Sequence, residues 1–211
     1  MITAFLIAFT VVISLITYPG INPLPRKIRR PEWHDKMMFS AWAVWHRKEF
    51  RRLFTHGFIH MGYWHLIVNM LVLGFFGFHV EDLFRQIFGS VAGECYYALL
   101  YLLALPAACS FGLVRYRDKP GEYSLGASGA TMAVLFAAIL LAPGMRLSLM
   151  FVPISIPGYL FALLFIPASI AMHRWRIWNV NHMAHVCGAV FGFVFPIMLE
   201  PALLSRFWHL V

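Results

Sequence analysis

Residues 126–143 read GASGATMAVLFAAILLAP, an apolar run that opens on Gly126-Ala127-Ser128-Gly129. A second apolar run, near 179–199, carries His185-Val186-Cys187-Gly188 close to its beginning. Polar side chains are costly inside a bilayer and commonly mark functional positions there. A nucleophile and a base at the mouths of two apolar runs therefore indicate hydrolysis within a membrane.

The composition indicates a membrane protein. Hydrophobic residues make up 61% of the chain and charged residues only 12%, whereas a soluble domain carries about 25% charged residues. The net charge is +8, but Lys and Arg cluster between apolar runs, so anionic lipid headgroups explain them better than nucleic acid does. The scattered cysteines Cys95, Cys109 and Cys187 predict neither a disulfide framework nor a paired-cysteine zinc site.

Six apolar stretches predict an all-α, polytopic membrane protein that forms a bundle of six transmembrane helices. Each is close to the roughly 20 residues that a helix needs to cross the hydrocarbon core. The chain has room for one bundle, which predicts a single domain over 1–211. The fourth stretch is short, which predicts that it begins below the membrane surface. The stretches lie near 2–18, 64–80, 93–114, 127–143, 147–172 and 179–199.

The fifth stretch differs from the others in its proline content. Pro153, Pro157 and Pro167 interrupt it, and each proline removes a backbone hydrogen-bond donor. We therefore expect a kinked or loosely packed fifth helix.

The order of the segments locates the chemistry. His65 begins the second segment, Ser128 the fourth and His185 the sixth. Even-numbered helices of an alternating bundle all enter the membrane from the same side. The sequence therefore predicts that these three residues lie near one membrane face.

The sixth segment has a surface that suits close helix packing. Gly188 and Gly192 follow His185 by three and seven residues, on the same helix face. The fourth segment offers Gly129 and Ala133 as a matching smooth surface. Close packing is needed because a Ser–His hydrogen bond spans roughly 2.6–3.2 Å. The predicted helix-packing residues are Gly126, Gly129, Gly188 and Gly192.

The polar residues predict a Ser-His dyad with an oxyanion site. The fourth and sixth segments contain no Asp or Glu, which disfavours a Ser-His-Asp triad. Free amides at a helix N-terminus favour negative charge, so the backbone at Ser128 can stabilise an oxyanion. His65 and Asn69 are four residues apart, share a helix face and can both donate to it.

A metal-binding membrane protein or transporter is the alternative. His56 and His60 have i, i+4 spacing, and His182 lies near His185. Against this alternative, the chain has no His-Glu-x-x-His motif and no transmembrane carboxylate near these histidines. We expect no bound metal.

The motifs His65-x-x-x-Asn69, Gly126-x-Ser128-Gly129 and His185-x-x-Gly188-x-x-x-Gly192, in this order, resemble the rhomboid intramembrane serine proteases. The resemblance covers about 49–199, which would be the catalytic core. It implies a serine endopeptidase that cleaves transmembrane segments of membrane-protein substrates, with Ser128 as nucleophile and His185 as base. His65, Asn69 and the Ser128 amide would form the oxyanion site.

The resemblance also implies the surroundings of the reaction. The enzyme would need no cofactor and bind no nucleic acid, and its partners would be transmembrane substrates and the lipid bilayer. It would be a multi-pass protein of the bacterial plasma membrane, with the fifth helix gating lateral access. Glu81 matches a family glutamate. Two positions depart from the family pattern: Arg51 and Arg52 replace a Trp-Arg pair, and Met132 replaces an aromatic residue.

The orientation in the membrane stays open at this point. The odd-numbered connections hold 14 Lys and Arg residues, whereas the even-numbered connections and the C-terminus hold three. The positive-inside rule would place the predicted active-site face in the cytoplasm. The resemblance would place it outside, and we keep the family arrangement as the expectation.

Overall fold

The computed structural model describes residues 1–20, 22–148, 155–175 and 181–211. These residues are mostly helical, and strands β1 (Arg146–Ser148) and β2 (Ser155–Pro157) form one antiparallel pair. In chain order the helices are α1 (Ile2–Thr17), α2 (Glu32–Met37), α3 (Ala41–Arg47), α4 (Arg52–Thr55), α5 (Tyr63–Phe88), α6 (Ser90–Ala108), α7 (Ser110–Arg115), α8 (Ser128–Leu141), α9 (Gly158–Arg174), α10 (His182–Leu199) and α11 (Ala202–Leu210).

Three helical units of the described residues are long and apolar enough to cross a membrane. They are α5, α10 and the nearly continuous α6–α7 unit. The helices α1, α8 and α9 are apolar but shorter. The prediction of an all-α polytopic membrane protein is confirmed, and three of the six predicted spans reach full membrane-crossing length.

The lengths of α5 and α8 differ in a way that shapes the molecule. Helix α5 has 26 residues and α8 has 14, which correspond to roughly 39 Å and roughly 21 Å at 1.5 Å per residue. A hydrocarbon core is about 30 Å thick. Helix α8 is therefore too short to reach both membrane surfaces, and one of its ends must be recessed.

Helix α8 is the centre of the bundle. It contacts α5, α6, α9, α10 and α11, and its residues from Gly129 to Leu140 are buried, except for Met132. Alanines supply much of this surface, because small side chains let neighbouring helices approach closely in a membrane.

Helices α8 and α10 pack backbone against backbone. A Cβ atom added to Gly188 would overlap the carbonyl oxygen of Gly129, and one added to Gly192 would overlap the carbonyl oxygen of Ala133. A Cβ added to Gly129 would in turn overlap the Cβ atom of Ala108 in α6. Larger residues at these positions would have to push the helices apart.

Glu81 fastens α1 to the bundle. Its carboxylate accepts hydrogen bonds from the backbone N–H groups of Ile2 (2.7 Å) and Thr3 (2.9 Å). The first N–H groups of a helix lack partners within the helix, and the positive end of the helix dipole also stabilises a carboxylate there. The Thr3 hydroxyl donates to Tyr97 Oη at 2.8 Å, so one polar cluster joins α1, α5 and α6.

Arg52 anchors the first loop. Its guanidinium is buried, donates to the carbonyl oxygens of Asp35 and Met38 at 2.7 Å each, and pairs with Glu49. The hydrogen bond from Arg52 holds the pKa of Glu49 below its usual value. Arg51 is exposed instead. The departure from the Trp-Arg pair thus leaves the anchoring arginine in place.

Two buried histidines hold the same loop. His56 Nδ1 donates to the carbonyl oxygen of Arg52 at 3.0 Å. His60 Nε2 accepts from the backbone N–H of Ala127 at 3.2 Å, and its Nδ1 lies 3.0 Å from the Ser14 hydroxyl. Because Nε2 is the acceptor, neutral His60 carries its proton on Nδ1 and donates it to Ser14.

The fifth apolar stretch, 147–172, does not form a single helix, and the prediction of one helix over this range was wrong. Its start forms the β1–β2 pair, and α9 begins only at Gly158. Pro157 immediately precedes α9 with an extended backbone; it has no N–H to donate to an upstream helical turn. Of the three prolines, Pro167 lies inside α9, and Pro153 lies outside the described residues.

The C-terminal helix α11 was not predicted. It has 9 residues, far below the length of a span, so its sequence carries no transmembrane signal. Leu203 and Phe207 are buried on one face, four residues apart, while Trp208 on the other face is exposed. The Phe207 ring meets the Phe193 ring of α10 edge to face at 5.3 Å, so α11 covers that part of the bundle.

We predict that acid destabilises the fold through His56 and His60. Burial lowers the pKa of His56 to about 4 and that of His60 to about 3. Because both values lie below the unfolded value, the unfolded chain binds more protons in acid. Above about pH 6.5 both histidines are neutral in either state and the free energy of unfolding is at its full value. It falls as the pH drops from there towards the folded pKa values. At pH 5 the loss should be on the order of 2 kcal/mol per histidine.

The measurement is the melting temperature in detergent between pH 7 and pH 5. We expect the wild type to lose stability steeply and the His56→Gln/His60→Gln double variant to depend less on pH. His209→Gln is the control, because His209 is exposed on α11. An equal pH dependence of the melting temperature in all three proteins would contradict the assignment of the acid sensitivity to His56 and His60.

Candidate functional site

Ser128 is the first residue of α8 and follows a tight turn. Gly126 in this turn has a φ of +114°, a conformation that favours glycine. A Cβ atom there would lie 2.6 Å from Cε1 of His65. Gly126 was predicted as a helix-packing residue, and this is corrected: it lies before the helix, where it turns the chain and makes room for His65.

A cleft of about 1430 Å³ opens over the start of α8. His65, Asn69, Ser128 and His185 all line it. The order of the segments predicted that the two histidines and the serine would lie near one face, and the structure brings them to one cleft. Since α8 is short, this end of the helix is the natural candidate for its recessed end.

Ser128 and His185 share the cleft without a direct hydrogen bond in this structure. Both side chains are partly buried, and the His185 ring lies 6.3 Å from the His182 ring, between centroids. Catalytic hydrogen bonds are often long without substrate and tighten when it binds. Met132, which replaces the family's aromatic residue, lines the same cleft.

The beginning of α10 is fixed by its N-cap. The side chain of Asn181 accepts a hydrogen bond from the backbone N–H of Ala184 at 3.1 Å. Such a cap satisfies one of the free N–H groups of the first turn. The capped turn leads directly into His185, so the cap helps to fix the position of the imidazole ring.

Asn69 is held by two partners. Its Nδ2 donates to the carbonyl oxygen of His65 at 2.7 Å, and its Oδ1 accepts from the Thr131 hydroxyl at 3.3 Å. The same hydroxyl lies 3.1 Å from the carbonyl oxygen of Ser128, so these two acceptors share its single proton. Since Nδ2 carries two protons, one remains for a ligand in the cleft.

His65 has spare hydrogen-bonding capacity. Its Nδ1 atom is buried and has no hydrogen-bond partner in the part of the chain that the structure describes. Most buried polar atoms have a partner, and the exceptions call for an explanation. The atom has almost no exposed surface, so a group bound in the cleft reaches it only if the His65 side chain moves.

Sequence reasoning missed His60 and Thr131 as supporting residues. His60 accepts a hydrogen bond from the N–H of Ala127, the residue directly before Ser128. It therefore helps to fix the turn that presents the serine. Thr131 ties Asn69 to the first turn of α8. The available signal was a threonine three residues after Ser128 in an otherwise apolar run; nothing local connected His60 to Ala127.

The histidines of the metal-binding alternative are engaged elsewhere. Both ring nitrogens of His60 contact protein groups, and His56 Nε2 faces the Cys109 thiol at 3.6 Å. Among the described residues, no three His, Cys, Asp or Glu side chains cluster closely enough to hold a metal ion. The donor set in this region therefore gives the metal-binding alternative no support.

The chain was also compared with known proteins. A family profile described as "Rhomboid domain" matches residues 47–202. A comparison with curated protein sequences finds no match. The profile covers most of the chain, including α5, α8 and α10 and every predicted site residue. The chain therefore belongs to the rhomboid family of intramembrane serine proteases.

Proposed function

We propose that the protein is an intramembrane serine endopeptidase that cleaves transmembrane segments of membrane-protein substrates with a Ser128–His185 dyad. The observation that carries this proposal is that Ser128 and His185 line one cleft on helices whose backbones touch. The chain would be a single domain, 1–211, with its catalytic core at 49–199. We place it in the bacterial plasma membrane by analogy with the family.

The dyad would work in two steps. Ser128 Oγ attacks the carbonyl carbon of the scissile peptide bond while His185 takes the hydroxyl proton. His185 returns this proton to the leaving amine as the C–N bond breaks, which leaves an acyl-enzyme. A water molecule then attacks the ester, with His185 again acting as the base, and releases the acid and the free serine.

The oxyanion of each tetrahedral intermediate would be bound at the start of α8. The Ser128 N–H belongs to the first turn of a helix, where N–H groups favour negative charge. The remaining Nδ2 proton of Asn69 and the ring of His65 supply further donors. Donors held in advance need little reorganisation during the reaction, and this makes them effective.

The contacts around Asn69 and His65 support their proposed role as oxyanion donors. Asn69 is locked by Thr131 and by its own helix, so its amide has a fixed orientation. The His65 ring sits against Gly126, in the turn that presents Ser128. Both side chains are thus positioned relative to the same turn.

We predict that Ser128→Ala and His185→Ala each lower the rate of substrate cleavage by several orders of magnitude, because the dyad acts as a unit. The double variant should be about as inactive as either single variant. The measurement is the cleavage rate of a single-span substrate in proteoliposomes.

The controls are Ser124→Ala and His173→Ala, which remove a second serine and a second histidine of the same cleft. We expect both controls to keep substantial activity. Cleavage at the wild-type rate by purified Ser128→Ala or His185→Ala would refute the dyad.

We predict that Asn69→Ala lowers kcat by ~10²–10³, the usual effect of losing one oxyanion donor. A residue that only held the helices together would show lost stability with normal kcat instead. Melting temperature and kcat should therefore be measured on the same preparations. Thr131→Val is the matched control, since it removes one hydrogen-bond partner of Asn69 but leaves every proposed oxyanion donor in place, and its loss of kcat should be much smaller.

Helix α9 is the proposed gate for lateral access. Its Phe161 and Phe165 rings stack on each other and pack on Phe136 of α8, with centroids 6.4 Å and 5.6 Å away. Such ring contacts can be broken and remade, unlike the backbone contact between α8 and α10. Phe151, another bulky residue of the fifth apolar stretch, lies outside the described residues.

We predict that Phe161→Ala/Phe165→Ala raises the cleavage of a membrane-embedded substrate, because a looser α9 opens more readily. Cleavage of a short soluble peptide should change little, since such a peptide can arrive from water. Leu163→Ala is the control, because Leu163 is exposed on α9. An equal increase for both substrates, or none for the embedded one, would contradict the gate.

A further inference from the structure

Three cations line the cleft that contains Ser128. They are Arg115, Lys119 and Arg174, and Glu122 is the one carboxylate residue among the described lining residues. The described part of the cleft therefore carries a net charge of +2 when its histidines are neutral. An uncharged peptide bond does not require such a surplus.

The three cations come from separate parts of the chain but reach one face. Arg115 ends α7, Lys119 follows in the loop towards α8, and Arg174 ends α9. All three are exposed. Helices α7 and α9 end, and α8 and α10 begin, on this side of the bundle, so the cations surround the aqueous mouth of the cleft.

In the part of the chain that the structure describes, these cations have no carboxylate partner. None of the three forms an ion pair with an Asp or Glu among the described residues. The neighbouring charges in the same loop are engaged away from the cleft: Arg117 stacks on the Trp45 ring at 4.6 Å, and Asp118 pairs with His46 at 3.0 Å. Arg117 and Asp118 thus contact the first loop, whereas Arg115 and Lys119 line the cleft, where the Lys119 ammonium lies 5.6 Å from the centroid of the Tyr116 ring.

We propose that Arg115, Lys119 and Arg174 bind an acidic side chain in the polar segment that flanks the scissile bond of a substrate. The protein would then prefer transmembrane segments that carry Asp or Glu just outside the membrane on the active-site side. This inference rests on the proposed protease function, because only a protease has a scissile bond to flank. A surplus of positive charge in a cleft attracts an anionic group to it.

The position of the cations favours a substrate over a lipid headgroup. Basic residues that face the surroundings of the bundle occur on the first loop, as at Arg26 and Lys48, and these do not line the cleft. Arg115, Lys119 and Arg174 share the cleft with Ser128 instead. A segment held for cleavage at Ser128 would therefore lie in the same cleft as these three cations.

The test uses one single-span substrate with Glu, Gln or Lys at the flanking position, in phosphatidylcholine vesicles without anionic lipid. We expect the wild type to cleave the Glu substrate fastest and the Lys substrate slowest, mainly through KM. Each step in charge should change kcat/KM roughly two- to fivefold, as exposed charge pairs do. Added salt should reduce the preference.

The Arg115→Glu/Lys119→Glu variant should reverse the order of the three substrates. Arg117→Glu and Arg206→Glu should keep the wild-type order, since Arg117 faces Trp45 and Arg206 lies on α11. A reversed order of the three substrates would indicate charge recognition, whereas a folding defect would lower the cleavage of all three alike.

The outcomes distinguish this inference from the proposed function. Equal cleavage of the three substrates by the wild type would overturn the inference and leave the protease function standing. A rate that rises with added phosphatidylglycerol for all three alike would assign the cations to lipid and also overturn it. Cleavage of none of the substrates would overturn the protease function and the inference together.

Discussion

The contact between the backbones of α8 and α10 is the constraint on which the site depends. The carbonyl oxygens of Gly129 and Ala133 occupy the space where side chains of Gly188 and Gly192 would lie. In a bilayer no hydrophobic effect drives helices together, so close van der Waals packing of small residues has to do so. Ser128 directly precedes Gly129, and His185 lies one turn before Gly188. The contact that joins the helices therefore also brings the two proposed catalytic residues to one cleft.

Around this contact, the polar atoms of the site are mostly arranged before any substrate binds. Asn69 is fixed by Thr131, and Ala127 by His60, and each bond spans separate segments of the chain. In an apolar environment a lost polar contact is expensive, so these bonds also stabilise the fold. His65 Nδ1 is the described exception near the site, buried without a partner. A local exception of this kind is expected where a ligand completes the structure.

Much of this arrangement follows from sequence periodicity. Polar residues at the starts of even-numbered apolar runs had to share a face, and glycines spaced by four had to share a helix surface. Other features depend on contacts that no local pattern reveals. The role of Gly126 arises from a His65 ring 61 positions earlier in the chain, and that of His60 from Ala127. The late start of α9 could have been read from Pro157, because proline ends an upstream helix, whereas α11 is too short to give a transmembrane signal.

The most direct test of the account is the site of reaction with a serine-directed fluorophosphonate, located by mass spectrometry on the folded protein. We expect a label on Ser128, with labelling slowed strongly in His185→Ala because the hydroxyl then lacks its base. Gly188→Leu, which would separate α8 from α10, should slow labelling in the same way even where the variant remains folded. A label on another serine, or a rate on Ser128 that is indifferent to His185, would contradict the central claim that these two side chains form one catalytic unit.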